Sequence, residues 1–438
     1  MLTSPPKAKL SNFLGSFYRD PLEFYLKLSQ QDDIVCIPGR GRSYLINQPE
    51  FIQHILQKNS DNYTKKHTSY DRIAAYLGHG LLTTSGEQWH KQRQQLQPLF
   101  LYKNLIQHHD FIVQSTNDLM NSWEPLATNN QVLNIAHEMM KLVLTISAGV
   151  FFGMDCSKDA DNIIDIVHKG NRNLITALSL KPWFPSIKTI QFHRVNKKLN
   201  QLISDIIQQH PQQKNLVEPL LEPLFQQHQQ GLLIETEFID NIKNLFVAGH
   251  ETTGNALAWT LYCLSRSEPA RKQLDNELHT VLNGRTPTLE DLSQLTFTQA
   301  VIEEALRLFP PIWILDRRAL KVDTVNDYLI EPKSLAIISP YTMHRNPQYW
   351  PQPNEFLPER FLSENRHQRH KCAYIPFGTG PRVCIGKQMA MMITKIALAM
   401  INQRYAIELD KTKPVTLEPL VTLKPLNGLW MRVQARHE

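Results

Sequence analysis

The sequence predicts a mainly α-helical protein with small β-sheets, and three observations predict it. From about Gly86 to Gly284, apolar residues recur at three- and four-residue spacing with few β-like runs, the period of helices that bury one face. Short apolar runs near the start and an alternating stretch at the end, Val415–Val433, carry the period of strands. No Gly/Ser linker, low-complexity run or internal repeat divides the 438 residues, so one domain over residues 20–438 is expected, preceded by an extension at 1–19.

Each element has a local reason. Asp20–Gln31 is an amphipathic helix candidate, with Asp20 as cap and Pro21 in the first turn. Ile34–Ile37 and Ser43–Ile46 read as strands around the turn Pro38-Gly39-Arg40-Gly41. Glu235–Ser265 reads as one long helix. Phe297–Phe309 is helical by period, and Pro310-Pro311 stop it. A further helix is expected after Gly386, with Met389, Ala390, Ile393 and Ile396 on one side. Val415–Val433 reads as a hairpin turning at Asn427-Gly428.

Composition excludes several classes. Hydrophobic content of 42% with 20% charged residues is that of an ordinary globular chain. The five cysteines, Cys36, Cys156, Cys263, Cys372 and Cys384, are odd in number and widely spaced, which argues against a disulfide framework and for a reducing compartment. No signal peptide and no run of 18 apolar residues is present, so a cytoplasmic protein without a transmembrane anchor is expected. A formal charge of +6 is too diffuse for nucleic acid but suits an acidic protein partner.

The chemistry concentrates in residues 377–386, Phe-Gly-Thr-Gly-Pro-Arg-Val-Cys-Ile-Gly. Each residue type has a task if Cys384 is the axial ligand of a haem iron. A thiolate needs backbone N–H groups turned toward its sulfur, and Gly380 and Gly386 permit the positive-φ turns that bring them there. Arg382 can pair with a propionate, and Phe377 can keep water from the sulfur. The helix after Gly386 would point its positive end at the thiolate. The bland alternative is a Gly/Pro-rich loop with a buried cysteine.

Two more constellations stand out. Glu304 and Arg307 lie three apart on one helical face, a spacing that commonly means only a solvated ion pair. The middle of the long helix reads Ala248-Gly249-His250-Glu251-Thr252-Thr253-Gly254, where two glycines each cost about 1 kcal/mol of helix propensity. A local rule broken in this way often marks a functional site. Small residues at Ala248 and Gly249 would let a flat cofactor approach, Thr252 can bond back to a carbonyl, and Glu251 adds an ionisable group. Close helix packing would explain the small residues equally well.

The spacing Phe-x-x-Gly-x-Arg-x-Cys-x-Gly resembles the signature of the cytochrome P450 family, and the resemblance runs from about Asp20 to the C-terminus. It implies a single triangular helical fold, with haem between a long central helix and the cysteine-loop helix. Pro358-Glu359-Arg360-Phe361 resembles the segment that lends a second arginine to the Glu-x-x-Arg pair, so Glu304, Arg307 and Arg360 are expected as a buried network beneath the loop. Glu251 and Thr252 resemble the acid–alcohol pair that delivers protons. Trp89 and Arg93 match a propionate-holding Trp-x-x-x-Arg. Arg318 is expected at the other propionate, with Arg317 as the alternative, and Phe377, Gly378, Arg382 and Ala248 at the haem. His344-Arg345-Asn-Pro is a fold marker.

Substrate contacts are expected from Ile73, Leu81, Leu245, Trp313, Ile314 and Val421, whose apolar character suggests a hydrophobic small molecule. A basic run (Arg366, His367, Arg369, His370 and Lys371, with Lys387 beyond the loop) would dock an acidic ferredoxin or flavodoxin supplied by its NAD(P)H reductase. The resemblance thus implies a monomeric, thiolate-ligated haem b monooxygenase that uses O2 for hydroxylation or epoxidation, its haem non-covalent because no Cys-x-x-Cys-His is present. A peroxygenase or isomerase, or a non-catalytic haem protein, are the alternatives.

Overall fold

The computed structural model describes residues 3–9, 13–37, 42–178, 187–210, 217–363 and 369–436. The expected turn at 38–41, and Arg366 and His367 of the basic run, lie outside them. The chain divides into two compact units, residues 1–67 with 304–385 and residues 68–303 with 386–438.

The first unit is built on a five-stranded sheet in the order Ile34–Ile37, Ser43–Ile46, Leu335–Ile338, Leu315–Ala319, Tyr63–Thr64. Ser43–Ile46 runs parallel to Leu335–Ile338, and the other pairings are antiparallel. The sheet buries Ile34, Ile46 and Ile338 with Ile52, Ile55 and Ile375, and residues rich in β-branched side chains suit such a pleated, covered surface. The expected first helix forms as Pro21–Ser29, with the Asp20 carboxylate accepting the Glu23 N–H at 3.0 Å. Helix Pro49–Gln53 runs on into a π-helical turn, His54–Lys58. Within the segment expected as an extension, Thr3 and Lys7 bridge to Tyr328 and Cys36, and Phe13–Arg19 is helical.

The second unit is helical, as its period predicts. Its longest member is Glu235–Arg266, packed on Ile135–Phe152. Small residues set that approach: a Cβ on Gly254 would lie 3.1 Å from Met140 Cα, and one on Gly249 would lie 2.7 Å from the Phe151 ring. Helix Ile135–Phe152 is also long and apolar enough to cross a membrane, but 72% of it is buried within the chain. Strands Val132–Asn134, Trp430–Ala435 and Tyr405–Leu409 form one sheet.

The C-terminal hairpin differs from expectation. Leu417–Pro419 pairs with Leu423–Pro425, so the chain turns at 420–422 and not at Asn427-Gly428. Gly428, at φ +81, instead passes the Asn134 side chain, where a Cβ would meet Asn134 atoms at 2.5 Å. Leu429 N–H then donates to Asn134 Oδ1 at 3.1 Å. The Asn-Gly pair steers the chain from the hairpin into the three-stranded sheet, so one alternating stretch serves two sheets.

Candidate active site

In the cysteine loop, Gly378 and Gly380 both take left-handed conformations, φ +69 and +72. Gly386 does not: its φ is −86, and it caps the helix Lys387–Arg404. The two turns fold the loop so that Cys384 N–H donates to Phe377 O at 2.9 Å. Cys384 is exposed, whereas Cys156, Cys263 and Cys372 are buried. The π-helical turn braces the loop from behind. A Cβ on Gly380 would lie 1.9 Å from Leu56 O, and Gln57 Nε2 donates to Thr379 Oγ1. A π turn under a functional loop is a recurrent use of that conformation.

Three cations converge in the same unit. Lys65 is held well below the usual ammonium range, first by burial and then by repulsion from Arg317 and Arg382, with Asp316 opposing. Arg317 is buried and donates to Asp316 O at 2.7 Å. Successive strand residues face opposite sides, so Arg318, in register with Leu335 and Thr64, points away from Arg317. An accessible thiol together with a cluster of cations is a donor set that fits an iron porphyrin carrying two carboxylates.

The same unit holds the Glu304 network, with Glu304 and Arg307 both 0% exposed. Arg307 Nε and Nη2 grip the carboxylate at 2.7 and 2.8 Å, and its remaining N–H groups donate to the carbonyls of His344, Pro353 and Glu355. Arg360 Nε lies 3.3 Å from Glu304 Oε1, and Leu357 N–H donates to the same oxygen at 2.9 Å. Losing one partner of such a pair costs about 3–5 kcal/mol, because it strands a buried charge. His344 pairs with Arg307 O (3.2 Å) and accepts from Ile375 N–H (2.9 Å), which fixes the Nδ1–H tautomer. Burial, then repulsion from Arg307, holds it well below the ordinary imidazole range.

In the second unit, the long helix is buried from residue 241 to 264 except at Ala248, Gly249 and Thr252. These three make a window of small side chains on one face, where a flat group can lie against the backbone. Thr252 Oγ1 donates to Ala248 O at 3.0 Å. Glu251 points the other way into the protein. Its Oε1 accepts from Thr422 Oγ1 at 2.8 Å and its Oε2 from Asn171 Nδ2. Burial pushes its carboxyl up to about 7, against the two hydrogen bonds that favour the ionised form. His250 is pulled down to about 4 by burial and turns back to Phe246 O at 2.8 Å.

The remaining expected residues are distributed as follows. Trp89 is buried edge-on to His90, and Arg93 Nε donates to Gln97 Oε1 at 2.9 Å. Ile73, Leu81 and Val421 are half-buried and Leu245 is buried. The loop around Leu81 is clamped to the long helix: Asp240, Asn241 and Asn244 accept from the N–H groups of His79, Leu81 and Leu82 at 2.6–3.0 Å. In the first unit Ile314 is half-buried, while Trp313 is buried against Tyr25 with its carbonyl bonded to Ser339. Arg369 of the basic run stacks on Trp350 at 3.9 Å and donates to Arg360 O, so it braces the Glu304 network. No group of His, Cys, Asp and Glu among the described residues is arranged to hold a metal ion.

Sequence reasoning missed Lys65, Gln57, Asn171, Thr422 and the Asp240–Asn244 clamp. None belongs to a motif, and each acquires its partner only through the tertiary fold.

Comparison with known proteins agrees with this geometry. The family model described as Cytochrome P450 matches residues 19–431. Cyclooctatin synthase of Streptomyces melanosporofaciens is 30% identical over 88% of this chain and 85% of its own. Cyclooctat-9-en-7-ol 5-monooxygenase of the same organism is 28% identical over 92% and 89%. Mouse cytochrome P450 4V2 is 30% identical over 84% and 76%. Among solved structures, the cytochrome P450DA heme domain superposes with a TM-score of 0.88 at 23% identity, covering 100% of this chain and 99% of that one.

Proposed function

The chain belongs to the cytochrome P450 family and is one of its haem-dependent monooxygenases, and from that premise we propose that it inserts one atom of O2 into a hydrophobic small molecule, with electrons supplied by a separate ferredoxin or flavodoxin and its NAD(P)H reductase. In this reading Cys384 holds the iron of a non-covalent haem b. Arg382, Arg317 and Lys65 take the propionates, with Trp89 and Arg93. Arg317 is preferred to Arg318 because it shares the cluster of Lys65 and Arg382. When bound, the haem supplies oxygen activation, which an axial thiolate favours.

The chain's own residues bind, orient and move protons. Ala248, Gly249 and Thr252 offer the flat window, and the Thr252 hydroxyl is a proton carrier at its edge. A carboxyl near pKa 7 is half-protonated at neutral pH, so Glu251 is suited to store and release a proton. Ile73, Leu81, Leu245 and Val421 supply apolar contacts to the substrate, and Ile314 with Trp313 the remainder. The protein acts as a cytoplasmic monomer.

The observation that carries this reading is the paired left-handed turn at Gly378 and Gly380 that presents Cys384. The reduced–CO spectrum tests it: a thiolate-type band is expected, and Cys384→Ser should abolish it. An unchanged band in that variant removes the proposal. Substrate class is tested by a screen of apolar compounds for the low-to-high-spin shift, with cyclooctat-9-en-7-ol, named in one relative, among them.

A further inference from the structure

We propose that Asn171 and Thr422 are positioning residues for proton delivery: they clamp the two oxygens of the Glu251 carboxyl, and Thr422 is the partner that turns over when the proton comes and goes. The proposal rests on the proton role given to Glu251 above. Asn171 lies on helix Ala160–Leu178 and Thr422 at the tip of the hairpin, 80 and 171 residues from Glu251 in the chain, and both are 3% exposed.

The donor directions follow from the network. Asn255 Nδ2 approaches Thr422 Oγ1 at 3.3 Å. That amide hydrogen occupies an acceptor site on the hydroxyl, which leaves the hydroxyl's one hydrogen for Glu251 Oε1. An amide nitrogen cannot become an acceptor, whereas a hydroxyl can rotate. While Asn171 keeps its Nδ2 toward Oε2, that oxygen therefore stays a bare acceptor when Glu251 takes a proton. The proton resides on Oε1, and the Thr422 hydroxyl swings from donor to acceptor. Asn171 thus selects the oxygen that is protonated, and Thr422 adapts to it.

The ionisable groups facing this carboxyl bear on its titration. From helix Thr68–Leu77 comes Tyr76, whose buried hydroxyl has no hydrogen bond among the described residues and lies where a Cβ on Gly170 would be, 2.0 Å away. Burial, then Glu251, pushes that phenol up, so it stays neutral. From Asn171's own helix comes Arg172, paired with Glu418 at 2.8 Å. Glu418 also lies 3.3 Å from Lys424 on the hairpin. On the packed helix Ile135–Phe152, His137 and Lys141 are turned to Asp161, and Glu138 to Trp123. On Lys387–Arg404, Lys395 donates to Leu292 O. On the long helix itself, His250 faces Phe246 O and Lys243 faces Asn200. Glu251 therefore has no direct cationic partner among the described residues, and the clamp's two neutral donors are what hold its ionised form.

Infrared difference spectroscopy of the resting holoenzyme reads this without turnover, by following the carboxyl C=O band through a pH titration. The wild type should titrate near neutrality, and Glu251→Gln should lack the band. Thr422→Val and Asn171→Leu each remove a donor to the anion, so each should raise the midpoint by about one pH unit, a tenfold change in proton affinity. Thr422→Ser should restore it, which separates the hydroxyl from a packing effect. The inflection in the pH profile of kcat should move with the band, while spectral substrate affinity stays constant. A midpoint unmoved in both donor variants, with the band absent in Glu251→Gln, overturns the clamp and leaves the proton role intact. A band and a turnover inflection that both survive Glu251→Gln overturn the proton role and the clamp together.

Discussion

At the scale of single residues, neighbours in sequence have opposite electrostatic fates. Glu251 and His250 are both buried, and burial favours the neutral form of each, so it raises the acid to about 7 and lowers the base to about 4. The consequences for stability have opposite signs. Between its ordinary value near 4.5 and its folded value near 7, Glu251 keeps a proton that the unfolded chain has released, so its contribution is lost as pH rises through that window. His250 does the reverse: the unfolded chain takes up a proton below 6.5 that the folded state refuses, so stability is lost as pH falls toward 4. The two largely offset each other between about pH 4.5 and 6.5. Glu251→Gln should remove one side, so its unfolding free energy relative to wild type should rise by about 3 kcal/mol from pH 4.5 to 7. Denaturant titrations at stepped pH measure this, and parallel curves for the two proteins would contradict it. The Glu304–Arg307 pair was legible because its two members lie three apart on one helical face. Arg317 and Arg318 were not separable, because only strand register decides which face each takes.

At the scale of elements, helices were read best, because a period sustained over many residues reports one buried face. The strands near the start were equally plain, because short apolar runs of that length leave few alternatives. The C-terminal stretch failed because period 2 says that a segment is extended and not with what it pairs. The cysteine loop lies between these cases. Its glycines were expected to take left-handed turns, but which ones do so depends on a packing partner invisible in the motif, the Leu56 carbonyl. That contact gives a sharp expectation. Gly380→Ala must carry left-handed strain of about 1–2 kcal/mol and must also displace a π-turn backbone carbonyl that no side-chain rotation can move aside. We expect it to lose haem and the thiolate-type CO band, while Gly386→Ala, at φ −86 and with open space around its Cβ position, retains both. Equal haem content in the two variants would refute this account of the loop.

At the scale of the whole molecule, sequence settled class and cofactor because both depend on local motifs, whereas partner recognition depends on how charge is displayed. The formal charge of +6 is carried by a chain with nearly balanced signs, so any steering of an acidic donor must come from local excess. The basic run is weaker in space than in sequence. Arg369 is stacked on Trp350, with burial bringing its guanidinium down to about 10, and His370 Nδ1 accepts from Cys372 N–H. Lys371 and Lys387 are the described members that stay exposed. Screening tests whether they steer. The Debye length shrinks from about 30 Å at 0.01 M to about 10 Å at 0.1 M salt, so reduction by an acidic ferredoxin should slow several-fold over that range, as measured by stopped-flow. Lys371→Glu should lower the low-salt rate and flatten the salt dependence without changing thermal stability. Arg369→Glu is the wrong probe for docking, since it breaks a stacked brace of the Glu304 network and should register first as lost stability. A reduction rate indifferent to salt, and unaltered by Lys371→Glu, would mean that the donor is recognised by shape and apolar contact instead of by charge.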